Sequence, residues 1–393
     1  MAINYALQAF SFWRYQQGEG EAMGRFSGWV LGLCALVLGI ALAPGEASAQ
    51  QSFRMRLQTV VPASADEFKL LLQFSQRVDL MTNGRLKIEV LADGAVVGAA
   101  ETLDAVDKGL VEAGFAWTHY WTGKHPAATL FGSPSAGSGV GMDQMAWLAW
   151  FFHGGGKDLY REMWDQHLKM NVVGFMVQSV GPEALGWFKE PIKSVEDLKK
   201  RRFRTPPGIP GAIYKEMGVP AVFLPGGEII PSAERGVLDG AEWCCPVTDI
   251  AYGFHRAFKH YYLQGLHQNV VNADIYINKG FWNKLPKDVQ AIFDTATMAS
   301  LMDTMAYRIR ANTLALAELK SKHGVQAHDT PQDYFAAYTA AAKKVYAETA
   351  AKNAFFKKVL DSQTEFAKDT VPYWLSIQKL NTSVAESHLR GGK

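Results

Sequence analysis

Cysteine is scarce. The 393 residues carry three, Cys34 and the adjacent Cys244 and Cys245, which excludes a disulfide-stapled scaffold. There is no Cys-x-x-Cys and no His-Glu-x-x-His, so a zinc enzyme has no support. A surplus of charge is also missing. Lys and Arg number 40 against 38 Asp and Glu, a net +2, and without Arg14, Arg25, Glu19, Glu21 and Glu46 of the first 49 residues the balance is +3. That excludes the broad basic footprint of a nucleic-acid binder, so any anion site must be local. Beyond residue 49 no stretch approaches the about 20 apolar residues of a bilayer span, and neither repeats nor low-complexity segments occur. What is present is 48% hydrophobic, 12% aromatic and 20% charged, the composition of an ordered globular chain with room for two or three domains.

Enzyme signatures are incomplete. His153-Gly154-Gly155-Gly156 has the pattern of the oxyanion loop of lipase-type hydrolases, but no Gly-x-Ser-x-Gly supplies a nucleophile. The motif therefore reads as a helix-ending loop, and a secreted hydrolase stands only as a rival. Gly137-Ser138-Gly139-Val140-Gly141 lacks the third glycine of a dinucleotide fingerprint and the lysine of a P-loop, so no organic cofactor is expected. The basic run Lys199-Lys200-Arg201-Arg202 reads as a solvated helix end.

Arg25 precedes an apolar run from Trp29 to Leu42, broken by Pro44-Gly45-Glu46 before Ala47-Ser48-Ala49. This is the layout of a secretory signal over residues 1–49 cut before Gln50, with Met23 as an alternative start that would make residues 1–22 surplus. Leu33 before Cys34 does not fit a lipobox, and the competing reading is an uncleaved anchor. Export with so few cysteines points to a bacterial periplasm.

Phe53 to Gln58 alternates apolar and polar residues as a half-buried strand does. Ser64 and Glu67 have capping-box spacing ahead of a helix with Phe68, Leu71, Leu72, Ser75 and Val78 on one face. Strands at Leu86–Leu91 and Ala113–Trp117, with a short helix from Thr102 between them, make a β-α-β-α-β order that favours a largely parallel sheet. A second set of strands is expected from Asn171 to Gln178 onward, at Phe203–Thr205 and at Val222–Leu224, and Val270–Asn278 reads as a further apolar strand. Pro286 to His323, closed by Gly324, reads as one long helix, followed by helices at Tyr334–Ala351 and Phe355–Ser376. The expected domains are lobe one at 50–150, to which part of 247–290 returns, lobe two at 151–246, and a spanning helix with a C-terminal helical region at 286–393.

Several stretches then become specific in order and spacing. They are Tyr120-Trp121-Thr122-Gly123-Lys124, Gly154-Gly155-Gly156, Leu185-Gly186-Trp187-Phe188, Arg202-Phe203-Arg204, Leu224-Pro225-Gly226-Gly227-Glu228, Ala241-Glu242-Trp243 and Tyr261-Tyr262. Together they resemble the solute-binding proteins of tripartite ATP-independent periplasmic (TRAP) transporters, in the branch that binds 2-oxo acids, lactate and aromatic carboxylates. The resemblance implies an α/β protein of two lobes that close about a hinge, with a long helix across both. It implies a receptor rather than an enzyme, delivering a small organic carboxylate to TRAP membrane permease subunits. A ligand-sensing domain for a signalling partner is the alternative within the same fold.

The resemblance also implies site residues. Arg204 matches the arginine that pairs the ligand carboxylate, a role suited to a planar guanidinium with two parallel N–H donors, and Arg202 on the same strand face is its rival. In relatives a metal ion is held by a glutamine before the Gly-Trp-Phe motif and by the Glu-Trp pair. Here Glu183 stands in the glutamine's place while Glu242 and Trp243 are kept. Two carboxylates favour a divalent ion such as calcium over sodium. The alternative is that Glu183 replaces the metal by accepting a hydrogen bond from the ligand or pairing with Arg204. Tyr120, Trp121, Trp187 and Trp243 are the implied pocket walls, and Gln178 and Gln268 are further cleft candidates. Cys244 and Cys245 form either a vicinal disulfide or two buried thiols. The helices beyond Phe355, with Tyr373-Trp374, imply a possible homodimer.

Overall fold

Phe53, Met55 and Leu57 point into a core while Arg54 faces solvent and Arg56 is half-buried, so the expected alternation holds to Leu57; Gln58 and Thr59 are buried as well, which ends it. The computed structural model describes residues 51–224 and 226–391. The expected signal at 1–49 lies outside the described residues. Among the described residues the strands are β1 (Phe53–Thr59), β2 (Leu86–Leu91), β3 (Ala113–Trp117), β4 (Val172–Ser179), β5 (Gly186–Phe188), β6 (Phe203–Arg204), β7 (Ala221–Val222), β8 (Gly240–Ala241), β9 (His260–Tyr262), β10 (Asn272–Asn278) and β11 (Gln326–His328). They form two sheets, β2-β1-β3-β10-β4 and β11-β9-β5-β8-β6-β7, one per lobe.

The expected parallel order holds for β2, β1 and β3, but β10 runs antiparallel to both β3 and β4. Strand β4 corrects the expected boundary. It belongs to the first sheet, where Val172 pairs with Asn278 and Ser179 with Asn272, so the second sheet begins only at β5. The physical reason is that β10 is buried along its whole length and β4 nearly so. The β4 sequence, Val172-Val173-Gly174-Phe175-Met176-Val177, accordingly carries no alternation to say which sheet it joins. The chain thus crosses between lobes at 180–185 and at 263–271. The two crossings are tied by Val180 N–H to Val271 O and Glu183 N–H to Gln268 O, both 2.9 Å.

Helix α1 (Asp66–Met81) follows β1, but its N-cap is Ala65 and no side chain caps it. The capping-box expectation fails because the Glu67 carboxylate accepts instead from Arg308, at 2.7 Å. Helix α2 (Pro246–Tyr252) opens after Cys245, and α3 (Lys287–His323) runs 37 residues, about 55 Å at the usual rise, to a C-cap at Gly324 with φ +64°. Val289, Phe293 and Leu301 of α3 lie in the larger core and Leu319 in the second lobe's own core, so α3 spans the lobes as expected. Helices α4 (Gln332–Lys352) and α5 (Ala354–Gly391) complete the chain, α5 continuing well past Ser376. The Gly154-Gly155-Gly156 loop joins two helices. A Cβ on Gly154 would lie 2.7 Å from Phe366 of α5, so the loop is a covered helix junction, not an open oxyanion site.

Asp274 on β10 anchors the loop after β3. It accepts from Thr118 N–H at 2.9 Å, the Thr118 hydroxyl, and Tyr276 OH at 2.9 Å. Burial pushes its carboxyl up to about 7. Below that pH the folded protein keeps the proton, whereas the unfolded chain releases it near 4. Stability should therefore fall as pH rises from about 4 to 7, by on the order of 3–4 kcal/mol from this group. Denaturant titrations across that window should show the slope, and Asp274→Asn should lose its share; an unchanged slope would remove Asp274 as its source.

Candidate functional site

Strand β6 is two residues long, with Phe203 pairing Ala221 and Gly240, and Arg204 pairing Val222 and Ala241. Phe203 is buried and stacks on Phe188 with centroids 5.4 Å apart, which turns Arg204 to the opposite face, toward the junction of the lobes. There Arg204 is only 4% exposed. Its Nε donates to Leu224 O at 3.0 Å, and Nη1 donates to Glu242 O at 3.0 Å and to Glu242 Oε1. The Trp243 ring lies 5.1 Å beneath the guanidinium and Phe223 lies 5.8 Å away. Nη2 donates to no protein atom among the described residues, which leaves an N–H pair for a ligand. Arg202 is settled differently. It sits on the surface, with Nη2 and Nε on Asp239 at 2.7 and 2.9 Å.

Glu242 follows β8 and is fully buried, and the two crossings bring Glu183 and His267 against it. One ligand atom from each of these three lies within 4.8 Å of the others. Glu183 Oε2, Glu242 Oε2 and both His267 ring nitrogens are buried without a hydrogen-bond partner. His267 Nε2 is 3.5 Å from Glu242 Oε2. Unpaired buried acceptors are costly, and acceptors facing one another fit a cation. Burial raises the Glu183 carboxyl well above its usual range, and the negative charges of Glu242 and then Asp249 raise it further. Without a cation this carboxyl takes up a proton. His267 is the member of this cluster that sequence reasoning did not name. Its only signal was its place beside Gln268.

A small cavity of about 30 Å³ opens in front of this cluster. Of the expected residues, Tyr120, Glu183, Arg204, Trp243 and Gln268 line it. Tyr120 and His119 come from the loop fixed by Asp274, and burial pushes His119 down to about 3, so its ring is neutral. His119 Nε2 and Gln268 Nε2 meet at 3.4 Å. Glu67, Cys244, Tyr252, Pro206 and Pro207 also line the cavity and were not anticipated.

Trp121, Trp187 and Gln178 are not among the cavity walls. Trp121 is buried in lobe one against Tyr276, with centroids 6.3 Å apart. Trp187 stacks on Tyr261 at 4.0 Å and donates to Asp249 Oδ2 at 2.8 Å, behind the site. Gln178 donates to Glu67 O at 3.0 Å. Large aromatic residues serve core and pocket alike, and only placement separates the two. The Trp243 ring packs on Arg204 and on Tyr252, 5.0 Å away, and offers no metal-ligand atom, so only its main-chain oxygen would serve that role.

Residues 57–353 match the profile of the bacterial extracellular solute-binding proteins, family 7. A monocarboxylate 2-oxoacid-binding periplasmic protein of Nostoc is 34% identical over 328 residues, covering 84% of this chain and 87% of its own. Among solved structures, a TRAP transporter solute-binding protein of Bordetella bronchiseptica with calcium and picolinate in its active site superposes with a TM-score of 0.81 at 27% identity. It covers 87% of this chain and 100% of its own. A TRAP periplasmic solute-binding protein of Colwellia psychrerythraea, with bound calcium and pyruvate, gives 0.77 at 27% identity over 85% of this chain and 100% of its own. One from Pseudoalteromonas atlantica, with sodium and pyruvate, gives 0.77 at 26% identity over 86% and 99%.

The orphaned acceptors lead to a direct expectation. Calcium added to chelator-stripped protein should raise the melting temperature by several degrees, because an ion that binds only the folded state stabilises it. In Glu242→Gln the shift should largely vanish. Equal shifts in both proteins would move the ion elsewhere.

Proposed function

The chain belongs to the bacterial extracellular solute-binding proteins of family 7, and on that premise we propose that it captures a small monocarboxylate with an oxygen beside the carboxylate, such as a 2-oxo acid, at Arg204. It works in the periplasm as the receptor component of a TRAP transporter and makes or breaks no bond. The observation that carries the ligand reading is the free Nη2 of a buried, otherwise anchored arginine facing a small cavity next to three orphaned ligand groups.

Arg204 is held in place by Leu224 O and Glu242, so its free N–H groups meet a carboxylate without first losing rotamer freedom. Pro206, Tyr252 and Trp243 from the second lobe, and Val61, Trp117 and Tyr120 from the first, close around the acid's apolar part and exclude water. Gln268 on the crossing segment offers a polar contact from the hinge itself. Glu183, Glu242 and His267 would hold the cation. When bound, it supplies positive charge and open coordination positions for the acid's oxygens. Calcium is favoured over sodium, since two carboxylates at one ion match a divalent charge.

Helix α5 leaves Tyr373, Ile377, Leu380 and Val384 exposed at spacings of four, three and four, a coiled-coil seam. A second copy of the chain would cover it. Sedimentation at the mass of two chains is expected, and a single-chain mass at micromolar concentration would reject the dimer.

The ligand reading is tested by calorimetry with pyruvate and picolinate in calcium. Arg204→Ala should abolish binding while the fold survives. The acid's carboxylate and Glu242 would then both lack their partner, at about 3–5 kcal/mol. Near-native affinity in a folded variant would take Arg204 out of the site.

A further inference from the structure

We propose that Cys244 and Cys245 form a thiol–disulfide site that sets how tightly the cleft holds its acid. The inference rests on the ligand reading above. The two cysteines follow Glu242 and Trp243 directly and are joined as a disulfide. They are 6% and 1% exposed, and Cys244 lines the cavity, so the cleft is its route to solvent.

The backbone of the pair is pinned. Both N–H groups donate to Asp249 Oδ1, at 3.1 and 3.2 Å, while Cys244 O accepts from Ala184 N–H and Cys245 O from Asp249 N–H, each at 2.9 Å. Arg308 of α3 covers the sulfurs. Its Nη1 lies 3.3 Å from Cys245 Sγ, 3.9 Å from Cys244 Sγ and 3.0 Å from Thr248 Oγ1, while its Nη2 donates to Glu67 Oε1 at 2.7 Å. One buried guanidinium therefore touches the second lobe's sulfurs and the first lobe's carboxylate, and Glu67 is itself a cavity wall.

Reduction by a dithiol transfers two electrons and two protons to the pair. The donor's thiolate attacks one sulfur, the Cys244–Cys245 bond breaks, and the donor's second thiolate resolves the mixed disulfide, leaving the donor oxidised. The reverse exchange, with a disulfide-carrying oxidant, restores it. Bonded sulfurs sit about 2 Å apart, whereas unbonded heavy atoms need roughly 3.5 Å or more. With the backbone fixed, the added separation must come from the side chains. One direction narrows the cavity beside Trp243, and the other displaces Arg308 from its bridge between the lobes. Both weaken the closed cleft. By linkage, an acid that favours the disulfide also protects it from reduction.

The test uses the exported protein cut before Gln50, in which Cys244 and Cys245 are the cysteines that can exchange, with redox state read by thiol alkylation and mass. The reduced protein should bind pyruvate or picolinate, in calcium, at least about tenfold more weakly than the oxidised protein. Saturating acid should slow reduction by dithiothreitol by a similar factor. Cys244→Ala with Cys245→Ala should bind equally with and without reductant. Equal affinities in the two redox states, or protein recovered from the periplasm with both thiols free, would overturn the inference. If the oxidised protein binds neither acid, the ligand reading fails on its own. The melting-temperature shift caused by calcium then decides: unequal shifts in the two redox states support the inference, and equal shifts overturn it.

Discussion

A guanidinium and a carboxylate buried together hold the centre of this molecule. Arg204 on β6 and Glu242, directly after the adjacent β8, are 4% and 0% exposed, so both charges are largely withdrawn from water. Removing such charges from water costs several kcal/mol each, which their attraction recovers only if the remaining donors and acceptors also find partners. Here they do so only in part. Among the described residues Arg204 Nη2 and Glu242 Oε2 have no hydrogen-bond partner, and Arg204 lines one small cavity. An anion at the first and a cation at the second would supply the missing partners, which is the arrangement the proposed binding of an acid with its ion requires.

The surrounding structure keeps that arrangement in place. Asp249 accepts from Trp187, Tyr261 and the N–H groups of Cys244 and Cys245, so the segment after Glu242 has no freedom to swing away. Burial nevertheless pushes Asp249 up to about 7. In lobe one Asp274 does the same for Thr118 and hence for His119 and Tyr120. The site is therefore assembled from two rigid halves, and the groups between them, Glu183, His267 and Gln268, sit on the crossing segments. Two of the three groups that could hold an ion, Glu183 and His267, lie on the segments that cross between the lobes, so an ion there would act on the backbone that joins them.

Much of the architecture was legible in sequence, because period-two and helical patterns report burial directly. The first strand as far as Leu57, the long helix and its Gly324 stop all follow local rules that no distant residue overrides. The family, and with it the likeness of Arg204 and Glu242 to known site positions, was legible from the order of short motifs. Local rules failed where a residue had a distant use. Glu67 had the spacing of a cap but pairs with Arg308 across 241 positions. Strand β4, apolar on both faces, joined the first sheet rather than the second.

By itself the sequence determined a two-lobe α/β chain and its spanning helix, since these rest on local periodicity and on motif order, and it placed Arg204 and Glu242 among the candidate site residues by likeness to a family. Tertiary structure alone decided which of Arg202 and Arg204 is free for a ligand, because Asp239 occupies the first. It decided that Trp121 and Trp187 are core and not wall, and that His267 completes the cluster of Glu183 and Glu242. The reason is the same in each case: a side chain's role depends on which distant group reaches it first, and that is fixed by how the two crossings fold the lobes together.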